Sequence, residues 1–175
     1  AIERLEAAGY REIGLDHFAK PSDSLRIARD NGTLKRNFQG YTVDRAESLI
    51  GFGPSAISAL PQGYVQNAPD HTPWSREVGE GRLAAVKGVA SSHEDRRRRA
   101  IIEQIMCFGR VDLAAFDFDP ASIMDALTPL LEDGLCHLCD SVLVLTARGL
   151  PFQRVVAAAF DSYLVPEAKR HSRAV

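Results

Sequence analysis

The sequence predicts an α+β fold: the end of a partial β/α barrel followed by a helical, winged-helix-like C-terminal domain. Three observations carry this reading. Up to Gly88 the chain is punctuated by glycines that leave only short apolar runs, the pattern of strands and an irregular cap. From Ser91 onward, capped stretches with helical apolar spacing take over. Between two of them, Leu135 to Leu145 holds apolar runs around a turn signal, which reads as a hairpin. The expected boundary lies near Gly88, with a barrel edge and its cap over residues 1–88 and the winged-helix-like domain over residues 89–175.

In order, Ile2, Leu5 and Ala8 repeat at helical spacing and stop at Gly9. The repeat starts with no initiator Met and no capping residue before it, which points to a chain cut from a longer protein. Tyr10 to Asp16 reads as a buried strand with Ile13 and Leu15 on one face, and Asp16 and His17 stand at its end, where a β/α barrel places its site. Pro21 and Ser22 open a short helix through Arg29, ended by Gly32. A strand at Tyr64 to Gln66 and a helix around Trp74 to Val78 follow, and Gly79, Gly81 and Gly88 break what comes after. Ser91 and Glu94 form a capping box for a helix to Phe108, striped by Ile101, Ile102, Ile105 and Met106. Asp119 caps a helix with Pro120 at its first position, and Asp133-Gly134 ends it. The hairpin turns near Asp140-Ser141. Thr146 caps a long last helix whose inner face holds Phe152, Val155, Val156, Phe160 and Tyr163.

Composition narrows the function classes. Lys and Arg number 21 against 23 Asp and Glu, a net charge of −2, so no global field recruits nucleic acid or a membrane surface. No apolar run approaches the roughly 20 residues that cross a bilayer. A cytoplasmic protein with a small-molecule task fits that charge balance, and three cysteines, an odd number, argue against a secreted disulfide framework. The winged-helix pattern invites a DNA-binding reading, but the last helix is apolar through VVAAAF and reads as a packing helix that docks and closes a site.

The most informative stretch is NFQGY at Asn37 to Tyr41, flanked by DHFAKP (Asp16 to Pro21) and LIGFGPSAIS (Leu49 to Ser58). It is too irregular for ordinary core and too apolar for a linker, the mark of a loop that touches a ligand. Gly40, Gly51, Gly53 and Gly63 allow backbone angles or close approaches that a Cβ forbids, so a ligand can press against main chain. Asn37 and Gln39 both donate and accept, which suits a zwitterionic or heterocyclic molecule. Gly51, Gly53 and Ala56 match GxGxxA, but Pro61 and Gly63 leave no room for the helix that a dinucleotide site needs, and Pro54 removes a donor from the turn. Cys136 and Cys139 form one CxxC on a predicted strand, where residues three apart face opposite sides and chelate poorly. Arg96 to Arg99 read as a solvated face or, through Arg98 and Arg99, as carboxylate-gripping forks. His17 is a candidate pocket residue.

GYREIGLDHFAKP, LKRNFQGYT, LIGFGPSAIS and YVQN, in this order, closely resemble the C-terminal third of the oxygen-independent coproporphyrinogen III oxidase family. The likeness continues through RRRRAIIEQIMC, LLEDGL, LTARG and FDSYL, and so spans nearly all 175 residues. RNFQGYT is its specific part, because the related heme-chaperone branch of the radical S-adenosylmethionine (SAM) superfamily carries an HN…YW-type stretch there.

The resemblance implies a parent enzyme that oxidatively decarboxylates two propionates of coproporphyrinogen III to vinyl groups, giving protoporphyrinogen IX. It implies a 4Fe–4S cluster that reductively cleaves SAM, with ligands in a CxxxCxxC motif that is absent from this sequence, so the fragment alone is expected to be inactive. By motif match, Gln39 and Ile57 are expected to bind a second SAM, Gln39 through its amide and Ile57 through apolar packing or main chain. Arg98, Arg99 and His17 are the expected substrate contacts. An unidentified electron acceptor is implied, with no nucleic-acid or membrane partner and a monomer at full length. The competing classes are a heme-binding chaperone of the same superfamily and a nonenzymatic interaction module.

Overall fold

A computed structural model describes residues 2–164. Its contacts divide the chain into two compact units, Ala1–Val43 with Arg98–Val175, and Asp44–Arg97.

In the first unit, α1 (Ile2–Ala7) ends where Gly9 takes φ +86°. The single strand expected over Tyr10 to Asp16 is instead an antiparallel hairpin of β1 (Arg11–Gly14) and β2 (His17–Ala19). Gly14 at φ +152° and Leu15 at φ +52° reverse the chain one turn earlier than the apolar pattern suggests. Helix α2 (Ser24–Asp30) starts later than Pro21, because the Asp23 carboxylate accepts from the Leu25 N–H at 2.8 Å and fixes the cap there. The RNFQGYT stretch, read as an irregular loop, is a second hairpin, β3 (Lys35–Asn37) and β4 (Gly40–Thr42), pairing Arg36 with Tyr41 and Asn37 with Gly40.

The second unit carries a three-stranded antiparallel sheet in the order β5-β6-β7, formed by β5 (Ile57–Leu60), β6 (Gly63–Asn67) and β7 (Ala85–Ala90), with α3 (His71–Gly79) between the last two. Gly51 to Ala56 leads into β5, with no helix behind it. The boundary expected near Gly88 falls inside β7, where Gly88 pairs with Val65. Gly63 permits this sheet: a Cβ there would meet the Val89 carbonyl oxygen at 2.0 Å. The fully buried apolar residues of this unit are small, Ala59, Ala68 and Ala84, so the ladder rather than a large core holds it.

Helix α4 (His93–Phe108) begins one residue later than the expected Ser91–Glu94 box. Ser92 and Asp95 form the reciprocal cap: the Ser92 hydroxyl accepts from the Asp95 N–H at 3.1 Å, and the Asp95 carboxylate accepts from the Ser92 N–H at 2.8 Å. Past α4 come β8 (Arg110–Asp112), a 3₁₀ turn at Pro120–Ile123 capped by Asp119, and α5 (Met124–Glu132), which stops before Gly134 at φ +67°. Next come β9 (Cys136–Cys139) and β10 (Val142–Leu145), turning at Asp140 with φ +53°. Strand β8, which sequence reading missed, completes a sheet in the order β8-β10-β9.

The long last helix expected after Thr146 is short. Thr146 caps a turn, its hydroxyl accepting from the Gly149 N–H at 3.0 Å, and α6 (Gln153–Ala158) follows a 3₁₀ turn at Leu150–Phe152. Val156 and Phe160 point inward as expected, joined by Gln153 and Ala157, whereas Phe152, Val155 and Tyr163 are exposed. Pro151 and the 3₁₀ geometry shift the helical phase, so the buried stripe runs 153, 156, 157, 160. The main core of this unit gathers Ile101, Ile105, Leu113, Leu127, Leu143, Val156 and Phe160. A second cluster of Ile13, Ala19, Ala28, Leu34, Tyr41 and Cys107 joins both hairpins to α4.

Candidate functional site

The β3–β4 hairpin holds Gln39 at its tip. Asn37 pairs with Gly40, leaving Phe38 and Gln39 as the two turn residues, both exposed. The Asn37 side chain accepts from the Gln39 N–H at 2.9 Å, an Asx turn that sets the backbone and leaves the Gln39 amide facing outward. Gly40 takes φ +135°, which glycine tolerates and other residues rarely adopt.

His17, from β2, closes against this turn. A Cβ on Gly40 would lie 3.2 Å from His17 Nε2, so the imidazole rests on bare main chain. His17 Nδ1 is 2.9 Å from Asp16 Oδ1. In the neutral ring this geometry assigns the proton to Nδ1, which donates to Asp16, and leaves Nε2 as a free acceptor beside Gly40. A backbone hydrogen bond at Asp16, with further help from His17, holds its carboxyl below the usual carboxylate range. The ring of His17 stands edge-on to Tyr41, with centroids 5.1 Å apart and planes at 80°.

Beneath His17 is a buried polar junction that the sequence did not announce. The Tyr41 hydroxyl donates to the Met106 carbonyl at 2.8 Å and accepts from Gln153 Nε2 at 3.0 Å, using both its donor and one acceptor position. Burial, opposed by the Gln153 bond, pushes the Tyr41 phenol above its ordinary value, so it stays protonated at neutral pH. Gln153 is 3% exposed, the one buried polar side chain among the described residues. The signal that could have found the pair is a glutamine on the inner stripe of an apolar helix, which needs a partner.

Of the other expected site residues, Ile57 opens β5 in the second unit, opposite Gln66. Its carbonyl oxygen lies 2.8 Å from where a Gly51 Cβ would stand, so main chain is pressed close there. Arg98 is half-buried: its guanidinium sits 5.0 Å from the Phe118 ring centroid and Nη1 donates to the Phe160 carbonyl at 3.3 Å. Arg99 is exposed on α4. Arg96 and Arg97 cap and brace the start of α4, through the Ser91 carbonyl and the Glu94 carboxylate.

The thiols do not fit an iron–sulfur cluster. Cys107 and Cys136 are buried and Cys139 is exposed on the opposite face of β9. Burial, with the Glu103 charge adding to it, pushes the Cys107 thiol up to about 12. Among the described residues no group of three possible metal ligands comes together. The exposed Gln39 amide beside glycine main chain does fit a polar ligand such as SAM, whose amino, carboxylate and hydroxyl groups need both donors and acceptors.

Residues 91–152 match the family model of the HemN C-terminal domain. Over 98% of its length the chain is 46% identical to the oxygen-independent coproporphyrinogen III oxidase of Bradyrhizobium diazoefficiens, of which it covers 40%. It is 43% identical to that of Thermostichus vulcanus, with 97% of this chain and 55% of that protein aligned. The solved structure described as coproporphyrinogen III oxidase (HemN) from Escherichia coli, a radical SAM enzyme, superposes with a TM-score of 0.85 at 36% identity, covering 93% of this chain and 39% of that one. The chain thus spans 40% of the first of these relatives' length and resembles the C-terminal part of such oxidases.

Proposed function

We propose that this chain is the C-terminal part of a cytoplasmic radical SAM oxidase that decarboxylates two propionates of coproporphyrinogen III to give protoporphyrinogen IX. The observation that carries the reading is the RNFQGYT hairpin: within a similarity to such oxidases that covers 98% of this chain, it exposes Gln39 at its tip, next to Gly40, against whose main chain His17 Nε2 closes. When bound, SAM and a cluster held elsewhere in the protein supply the one-electron chemistry. This chain's residues bind and orient. Gln39 holds the amino-acid or sugar part of SAM by its amide, and Ile57 contributes packing or its carbonyl. His17 Nε2, the ring nitrogen not tied to Asp16, makes a hydrogen bond to a polar group of the ligand.

Arg98 and Arg99 are proposed for the substrate's propionates, because a guanidinium grips a carboxylate with two parallel donors. Arg99 is exposed on α4, and the Arg98 guanidinium also donates to the Phe160 carbonyl. The hairpin of β1 and β2 reads as the barrel's edge, since β1 pairs only with β2 among the described residues. The succession of α4, β8, α5 and the β9–β10 hairpin reads as winged-helix-like. No helix among the described residues is long and apolar enough to cross a membrane.

The test is Gln39→Ala in the whole oxidase, with cluster absorbance and melting temperature held at wild-type values. Loss of one hydrogen bond to a buried polar ligand group costs about 1–3 kcal/mol, so SAM affinity should fall roughly five- to a hundredfold. Unchanged SAM consumption and product formation would make Gln39 only a turn residue.

A further inference from the structure

We propose that Tyr41 and Gln153 are positioning residues for His17, acting through the hydroxyl junction with the Met106 carbonyl. This inference rests on the reading of His17 as a ligand contact.

The junction is built from three distant parts of the chain. Gln153 and Tyr41 are 112 residues apart in sequence, and Tyr41 and Met106 are 65 apart, so the contact is made only when β4, α4 and α6 have packed. A buried hydroxyl with both partners in place cannot swing without leaving a glutamine amide and a carbonyl unsatisfied. Gly14 closes the remaining side: a Cβ there would come within 2.3 Å of the Tyr41 hydroxyl oxygen and 3.3 Å of Gln153 Nε2. The Arg36 guanidinium lies 5.7 Å from the Tyr41 ring centroid. The ring is therefore held at its hydroxyl, with Arg36 and His17 beside it.

His17 depends on that ring. The turn before its strand gives it Asp16, an 86% exposed side chain whose hydrogen bond fixes the Nδ1 proton but is open to water. What sets the imidazole plane is the edge-on contact with Tyr41 and the close approach to Gly40. Tyr41 and Gly40 are neighbours on β4, so a ring that shifts moves the wall against which Nε2 rests. Gln153 thereby gives α6 a role in the site without touching a ligand.

Two layers of experiment separate this inference from the reading beneath it. In the 175-residue chain, the histidine rings are isotope-labelled and His17 is assigned by His17→Gln. Tyr41→Phe, which keeps the ring but removes the hydroxyl, and Gln153→Met should each move the His17 Nε2 and Cε1–H resonances, while the other histidines stay at wild-type positions. The double variant Tyr41→Phe with Gln153→Leu removes both polar partners at once, which preserves the fold best, and should move His17 no further than the single changes. A His17 signal that stays put in a folded double variant overturns the inference, as does a shift shared by all histidines. In the whole oxidase, Tyr41→Phe should lower kcat/KM about fivefold, the worth of one neutral hydrogen bond, and should cost nothing further in a His17→Gln background. Additive losses overturn the positioning role. If His17→Gln itself leaves kcat/KM unchanged, the ligand-contact reading fails while the resonance test still reports on the junction.

Discussion

Gly14→Ala tests how tightly the Tyr41 junction is built. The added methyl would stand 2.3 Å from the Tyr41 hydroxyl oxygen and 2.9 Å from Cζ, both inside any tolerable contact, and the hydroxyl is tied on two sides. Alanine must also adopt φ +152°, a strained conformation for an L residue that costs about 1–3 kcal/mol. Overpacking adds about 1–3 kcal/mol, so the variant should lose about 2–6 kcal/mol. Urea unfolding followed by far-UV circular dichroism measures it. The single tryptophan, Trp74, reports on the unit Asp44–Arg97, so its fluorescence should hardly change while the dichroism midpoint falls. Gly9→Ala is the control: its φ is +86°, but nothing lies within 4 Å of the new methyl, so only strain of about 1–2 kcal/mol remains. Tyr41→Phe placed in the Gly14→Ala background should restore part of the loss by deleting the nearest clashing atom. A Gly14→Ala chain as stable as wild type would refute the packing described here.

Other outcomes follow from the same geometry. A bulky disulfide reagent should react with Cys139 in the folded chain and reach Cys107 and Cys136 only on unfolding. The Cys107 thiol, raised from 9.0 to about 12 in the folded state, ionises first in the unfolded chain. Its contribution is therefore intact below pH 9 and declines by about 1.4 kcal/mol per pH unit up to about 12, a slope that Cys107→Ala should flatten in unfolding curves. Asp119→Ala removes the acceptor for the Ala121 N–H at 2.9 Å and should cost about 1 kcal/mol, read as a lowered midpoint.

What could be read from the sequence was what neighbouring residues decide among themselves. The Asp119-Pro120 start, the Gly134 stop and the hairpin turning at Asp140 depend on local caps and turns, and they stand where expected. Strand β8 escaped notice because three residues acquire a strand's identity only by pairing with β10 some thirty positions later. Strand β7 was hidden by Gly88, which reads as a breaker locally but pairs with Val65 across the sheet. The site divides in the same way. Gln39 and His17 were visible as residue types in a glycine-rich stretch, whereas the Tyr41–Gln153 bond joins residues that no local window contains together. Arg98 read as part of a solvated face or as a carboxylate grip, yet its guanidinium packs on Phe118, a ring brought near only by the fold.

The proposed function makes this chain the C-terminal part of a coproporphyrinogen III oxidase. The direct measurement is anaerobic turnover of coproporphyrinogen III by the whole protein with SAM and a reductant, followed by mass analysis of the porphyrin product. The expected result is loss of two carboxyl groups and formation of two vinyl groups, slowed by Gln39→Ala. Heme binding with the porphyrinogen left untouched would contradict it and identify the chaperone branch instead.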